Sequence, residues 1–440
     1  MNYYQLLYAR QLDELIAAAL PNVENDKDAA RAYLRCFITV NNMWLLSEQT
    51  VKLLQQEADK GNRYAQYGYA RYHSGVRPDE NSLWESFRYG EKAMEQGLPD
   101  ALALVATSYE YGDIGNVDKE KAAEMMKKAF DQGSEYAIKS TLQNMIYGKP
   151  YEAPQPEEEV VALIEELMAK DKQNGIEPNG WLYYYRACAK EGRIGRTRVE
   201  DDYEKAAALG VNNAYTELAI SYGYGDEFTS PLIESDKYKK VIADGIAHRN
   251  GGSYFMDFVA LSARYEALLK HYAEKNLPAD TPVPEDVDEC SQQMAEQLRK
   301  AYNLGYNPAI EQIGDVYYNG MYGYPEDYEM AFSCYSRAAF HDSVTATEQV
   351  WQMMHDHLID RPLDYVDSIA LLGARLGSKK LLAETVVAHQ EGRLNEFADE
   401  IEKYYEPIFD ADDFTIDEDL DNASDDDDYE EDDGRYDAWA

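Results

Sequence analysis

Ala101, Val105, Tyr109 and Gly112 stand at offsets 0, 4, 8 and 11, and the same offsets recur at Ala214, Leu218, Tyr222 and Gly225 and at Ala309, Ile313, Tyr317 and Gly320. Offsets of four and eight fall on one helical face, so each set is an apolar stripe on a short helix. Glycine after the last stripe residue suits a left-handed C-cap, where a side chain would be strained. A second helix follows each turn, DKEKAAEMMKKAFDQG from Asp118 and DYEMAFSCYSRAAF from Asp327, and EDDYEKAAALG ends the unit before Ala214. Asp118 and Asp327 stand where an N-cap is wanted, with Lys or Arg toward the far end, as the helix dipole favours. Small residues such as Ala122, Ala206, Ala331 and Ala338 allow the paired helices to approach closely. Gly61, Gly97 and Gly133 are spaced 36 apart, as are Ala65, Ala101 and Ala137. One hairpin of this length cannot bury both faces, so a fixed period near 36 predicts a solenoid of stacked hairpins.

These residues resemble the Sel-one-like repeat (SLR) family, relatives of tetratricopeptide repeats. The family pattern runs A-x-x-x-L-G-x-x-Y-x-x-G, a short loop, then D-x-x-K-A and K-A-A-x-x-G. Ala309, Ile313, Gly314, Tyr317, Gly320, Asp327, Ala331, Tyr335, Ala338 and Ala339 follow it, with one extra loop residue. Residues 101–133 and 203–225 depart from it at Ala106 and Ala219, where glycine is usual. The resemblance covers residues 44–406, with degenerate units at 64–97, 135–172, 179–210, 343–376 and 379–406. The stretch 252–304 is expanded around the loop 276–288. It implies an all-α, right-handed α/α superhelix, with residues 1–43 as capping helices and 407–440 as a disordered acidic tail. Residues 410–440 hold sixteen acids against one arginine, too much self-repulsion and too little apolar surface to fold.

Charge narrows the partners. The chain has 42 Lys and Arg against 83 Asp and Glu, a net of −41. That excludes nucleic acid and an anionic membrane and favours a partner of basic character. The tail accounts for −15, which leaves −26 on the repeats. Cys36, Cys188, Cys290 and Cys334 lie far apart, as isolated buried thiols in a reducing compartment do. The start MNYYQLLYARQLDELIAAAL carries Arg10, Asp13 and Glu14, unlike a signal peptide, and no window is apolar enough to span a bilayer. A cytoplasmic location is expected.

No P-loop, G-x-G-x-x-G, H-E-x-x-H or G-x-S-x-G occurs, and no cofactor or catalytic set is expected. His355 and His357 are two apart, which on a helix points them to different faces. Asp410 and Asp412 begin a run that lacks the glycine and glutamate of a calcium loop. The expected function is therefore non-enzymatic: an adaptor or scaffold that holds a protein or peptide on its concave face. In tetratricopeptide-like stacks the first helix of each unit lines that face. Offsets 2, 6, 9 and 10 then select Thr107, Glu110 and Tyr111; Thr216, Ile220 and Tyr224; and Glu311, Asp315, Tyr318 and Asn319. Tyrosine beside a carboxylate suits Lys or Arg side chains. Inter-repeat packing is the competing role for those tyrosines. Tyr436 and Trp439 give the tail an aromatic tip for docking, whose competing role is solubility. The second function class is an inhibitor or immunity-type protein that neutralises a basic partner by charge mimicry.

Overall fold

The computed structural model describes residues 2–39, 46–76, 80–115, 117–195, 198–224, 235–275, 284–321, 324–411 and 414. Three helices open the chain, α1 (Tyr3–Tyr8), α2 (Leu12–Ala19) and α3 (Lys27–Thr39), followed by α4 (Glu48–Asp59). Then come α5 (Arg63–Val76) with α6 (Glu80–Glu95), α7 (Pro99–Tyr111) with α8 (Lys119–Asp131), and α9 (Glu135–Tyr147) with α10 (Glu157–Gln173). The middle holds α11 (Gly180–Ile194) with α12 (Glu200–Ala208), α13 (Asn213–Tyr224) with α14 (Asp236–Ala247), and the longer α15 (Gly251–Glu274) with α16 (Glu285–Asn303). The chain continues through α17 (Asn307–Asn319) with α18 (Tyr328–Ala339) and α19 (Val344–His355) with α20 (Leu363–Leu376). It ends with α21 (Lys379–Gln390), α22 (Ala398–Tyr404) and α23 (Glu406–Phe409). Consecutive helices pack on one another, so the described residues form an all-α array of hairpins with no strand.

The repeated residues act as their spacing predicts. Ala101, Val105, Ala214, Leu218 and Ala309 are buried. Gly112 and Gly320 are left-handed C-caps, with φ of 71° and 63°. Asp118 accepts from the Lys121 N–H, and Asp327 accepts from the Met330 N–H. The backbone N–H of Asp118 donates to the Tyr109 carbonyl, and that of Asp327 to the Tyr317 carbonyl, each at 2.8 Å. Gly225, the loop core at 276–283 and the acidic run 415–440 lie outside the described residues.

A second motif closes the opposite end of each hairpin. Among the described residues, ten turns between successive units share one bond, from an N–H to the carbonyl five residues earlier: Asn62 to Glu57, Leu98 to Ala93, Ser134 to Ala129, Ile176 to Asp171, Val211 to Ala206, Asn250 to Gly245, Tyr306 to Ala301, Ser343 to Ala338, Ser378 to Gly373 and Arg393 to Ala388. The residue just before each donor is left-handed, glycine at eight turns and Arg249 and Asp342 at the other two. This is the six-to-one closure that satisfies a helix-end carbonyl. Eight of the ten acceptors are Ala or Gly, because the next helix crosses there. A Cβ on Gly373 would meet Leu381 at 2.1 Å, and one on Gly314 would meet the Tyr335 ring at 2.6 Å.

Two contacts tie distant parts of the array together. Arg35 of α3, 3% exposed, donates to Glu135 at 3.1 Å and to the carbonyls of Glu177 and Pro178. Arg31 and Asn179 also reach Glu135. The last carbonyls of α3 accept from Arg71 and Lys139, so the opening helices lie across several units. At the other end, the α20–α22 region returns to the α7–α8 turn. Arg375 pairs with Glu400 at 2.8 Å and donates to the Gly115 carbonyl. Glu400, 1% exposed, accepts from the Val117 N–H. Tyr151 donates to the Ala374 carbonyl at 2.7 Å, and Lys403 and Tyr404 reach Glu120. Phe414 packs on Phe409, so the folded end runs beyond residue 406.

Leucine in place of Ala206 or Ala338, both fully buried, should cost about 1–3 kcal/mol by overpacking, whereas Lys127→Leu on the exposed face of α8 should leave the urea midpoint unchanged. Equal midpoints would show that the buried faces are misassigned. Glu400→Ala strands Arg375 and should cost about 3–5 kcal/mol. Lys403→Ala, at the solvent-exposed edge of the same seam, should leave stability unaltered.

Candidate functional site

Near the seam between the α7–α8 turn and the C-terminal helices stand several tyrosines and carboxylates. Tyr111 at the end of α7 is 39% exposed, and Tyr147 at the end of α9 is 41% exposed. Burial nevertheless raises both phenols far above their usual range. Asp342 is also open to solvent, yet burial raises its carboxyl to about 6. The turn residue Asp113 stands near Asp342, and burial together with that second carboxylate pushes it up to about 7. The Ser108 hydroxyl and Arg375 oppose that shift. The charge of Glu217 on α13 acts on Tyr147, Tyr184, Cys188 and Tyr306.

The residues selected from the repeat offsets divide into groups. Tyr111 is exposed, and Glu110 beside it is paired with Lys149 at 2.7 Å. Thr107 donates to the Leu104 carbonyl of its own helix. Thr216 is 7% exposed and donates to Asn250, and it leaves no room for a Cβ at Gly252, so it packs between units. Ile220 is half-buried among the apolar residues of the central cluster. Tyr224 is the last residue of α13. Asp315 accepts from the Tyr335 hydroxyl at 2.6 Å, and Tyr318 packs edge-on against Tyr328 at 5.5 Å. Glu311 is half-buried near Ser343, its carboxyl raised by burial. Asn319 is exposed and donates to the Asp315 carbonyl. Tyr436 and Trp439 lie outside the described residues.

Asp113, Tyr147, Glu217 and Asp342 are not among the residues the offsets select. Glu217 sits one position past Thr216, at offset 3, and accepts from the Tyr184 hydroxyl at 3.3 Å. Asp342 occupies the left-handed turn position that holds glycine in most units, and that substitution is visible in the sequence. The four cysteines are free, three of them buried, and burial pushes the Cys36 thiol up to about 12. Among the described residues no three His, Cys, Asp or Glu side chains are placed to hold a metal ion, and no helix is long and apolar enough to cross a membrane.

No family model and no curated protein matches the chain. Two solved structures are similar in outline. One is a protective antigen of uropathogenic Escherichia coli strains displaying an SLR fold, 18% identical over 85% of this chain and 75% of that one, with a TM-score of 0.33. The other is a Sel1 repeat protein from Oxalobacter formigenes, 16% identical over 79% of this chain and 92% of that one, with a TM-score of 0.34. Likeness at that level carries no argument about function.

The raised carboxyls set a pH dependence. Asp113, Asp342 and the buried Asp100, which burial raises to about 7, hold protons more tightly in the folded array than in the open chain. Their folded pKa values exceed the unfolded ones, so their contribution is complete below about pH 4 and is lost as pH rises through 6 and 7. The thermal midpoint should therefore climb as pH falls from 8 to 5.5. Asp113→Asn and Asp342→Asn, the latter tolerated at φ +66°, should each flatten that slope.

Proposed function

We propose that this chain is a non-enzymatic interaction module that holds a basic segment of a partner protein against the tyrosines and carboxylates beside the seam. The observation that carries the reading is the solvent-exposed ring of Tyr111, on which the charges of Glu110, Asp342 and Asp113 act. Two carboxylates held close to each other repel, and a lysine or arginine side chain between them relieves that repulsion while its stem and charge lie on the ring. The seam between the α7–α8 turn and the C-terminal helices favours an extended segment over a folded domain as the guest. The acidic tail, with Tyr436 and Trp439, extends the negative field and speeds encounter with the same partner.

An adaptor of this kind and an inhibitor that works by charge mimicry differ in their response to salt. The second reading draws on the −26 carried by residues 1–409. A fluorescein-labelled oligo-arginine peptide, titrated at 50 and 500 mM NaCl, separates them. For the seam site, binding should persist at high salt, weaken about tenfold in Tyr111→Ala at both salts and weaken in Asp342→Asn mainly at low salt. Removing residues 415–440 should slow association at low salt only. Binding that vanishes at 500 mM NaCl and ignores Tyr111→Ala selects charge mimicry. Variants that all bind as the native chain does would exclude the seam as the site.

A further inference from the structure

In two of the three units that share the same offsets, the last tyrosine of the stripe carries a lysine on its ring. The Lys121 ammonium stands 3.6 Å from the Tyr109 ring centroid, and the Lys237 ammonium 3.7 Å from that of Tyr222. Both lysines come from the first turn of the second helix, three residues past the N-cap Asp118 and two past the N-cap Ser235. At those distances the charge lies against the negative face of the ring. Lys237 is shared between its ring and the Glu200 carboxylate.

The third unit keeps the tyrosine and lacks the lysine. After its N-cap, Asp327, the corresponding positions hold Glu329 and Met330. Arg337, further along α18, lies over Tyr302 instead, and Arg361 lies over Phe332 and pairs with Glu329 at 3.3 Å. Among the described residues no cation stands over Tyr317. A second ring stands beside it: Tyr324 packs edge-on, with 5.6 Å between the centroids and 72° between the planes, so the two rings form a corner. Tyr324 is 44% exposed, and Met330, in the position of Lys121, is 43% exposed. Solvent therefore reaches the side from which the lysine arrives in the first unit. The exposed Glu326 borders Tyr324, for a Cβ on Gly320 would meet the Glu326 Cγ at 3.2 Å and the Tyr324 carbonyl oxygen at 3.3 Å. Its carboxylate accepts from the Tyr328 hydroxyl at 3.4 Å.

We propose that the Tyr317–Tyr324 corner takes the ammonium of a lysine side chain from a partner protein, in the place that Lys121 and Lys237 fill from within. The two rings offer their faces to the charge, and Glu326 supplies the carboxylate that Glu200 supplies to Lys237. Lysine suits the corner because its ammonium is a compact charge on a long stem, and the stem can lie along Met330. The site lies on the α17–α18 unit and does not rest on the role of Tyr111.

The test is a titration of the full chain with a blocked Gly-Lys-Gly tripeptide whose ε-amine is dimethylated with carbon-13, a change that keeps the charge. Methyl groups held over an aromatic face resonate upfield. The native chain should shift the probe methyls upfield and saturate in the millimolar range, as one exposed cation–π contact allows. Met330→Lys should abolish the shift, because the new ammonium fills the corner, and Tyr324→Leu should abolish it with no change of charge. Both positions are exposed, so the variants should fold as the native chain does. Met330→Gln and Tyr111→Ala should keep the shift. No upfield shift in the native chain, a shift that survives either Met330→Lys or Tyr324→Leu, or one lost in Met330→Gln overturns the proposal. A shift lost in Tyr111→Ala but kept in Tyr324→Leu assigns the probe to the seam and overturns this site alone.

Discussion

Each unit depends on how its helix ends. An α-helix leaves its last carbonyls without partners, and here the N–H two residues beyond the last turn reaches back to one of them while the residue between swings left-handed. That closure reverses the chain in a fixed pose. The small residue at the bonded carbonyl, Ala206 or Ala338 for example, lets the next helix cross against it. Repeated down the chain, one local bond geometry sets the rotation from hairpin to hairpin. The apolar stripes then meet their neighbours and leave water.

Repetition alone would give an open curve. Closure comes from charged side chains that the repeat does not specify. Arg375 and Glu400 join the C-terminal helices to the α7–α8 turn, and Arg35 with Glu135 joins α3 to α9. Both pairs carry further hydrogen bonds, to Gly115 and Val117 in one case and to Glu177, Pro178 and Asn179 in the other. Buried ion pairs of this sort contribute little net stability but penalise any arrangement that separates them. They make the register between distant units specific. Asp113 on the α7–α8 turn and Asp342 on the α18–α19 turn thereby come near enough for the charge of one to act on the other.

The candidate site was partly legible in the sequence. Tyr111 and Glu110 follow from counting along a helix whose buried face is known, because helical geometry fixes which positions oppose the stripe. Thr216 shows the limit of the count. The longer α15 packs on α13, and Thr216 is consumed against Asn250 and Gly252, while Glu217 accepts from the Tyr184 hydroxyl. A rotation of one residue is below what periodicity over three turns resolves. Asp113 and Asp342 come from different turns, 229 positions apart, and no local pattern joins them.

What the sequence determined by itself is the unit. Offsets of four and eight, glycine at the left-handed cap, aspartate at the N-cap and alanine at the crossing each act within a few residues, so they are readable one after another along the chain. What only the tertiary structure decided is where the ends of the array go. The rotation from hairpin to hairpin sums over the array and sets whether the α7–α8 turn meets α20 and α22 or faces water. That sum depends on the side-chain packing of every intervening unit, including the degenerate ones. The meeting of Arg375 and Glu400 with Gly115 and Val117 therefore belongs to the folded chain and not to any stretch of its sequence.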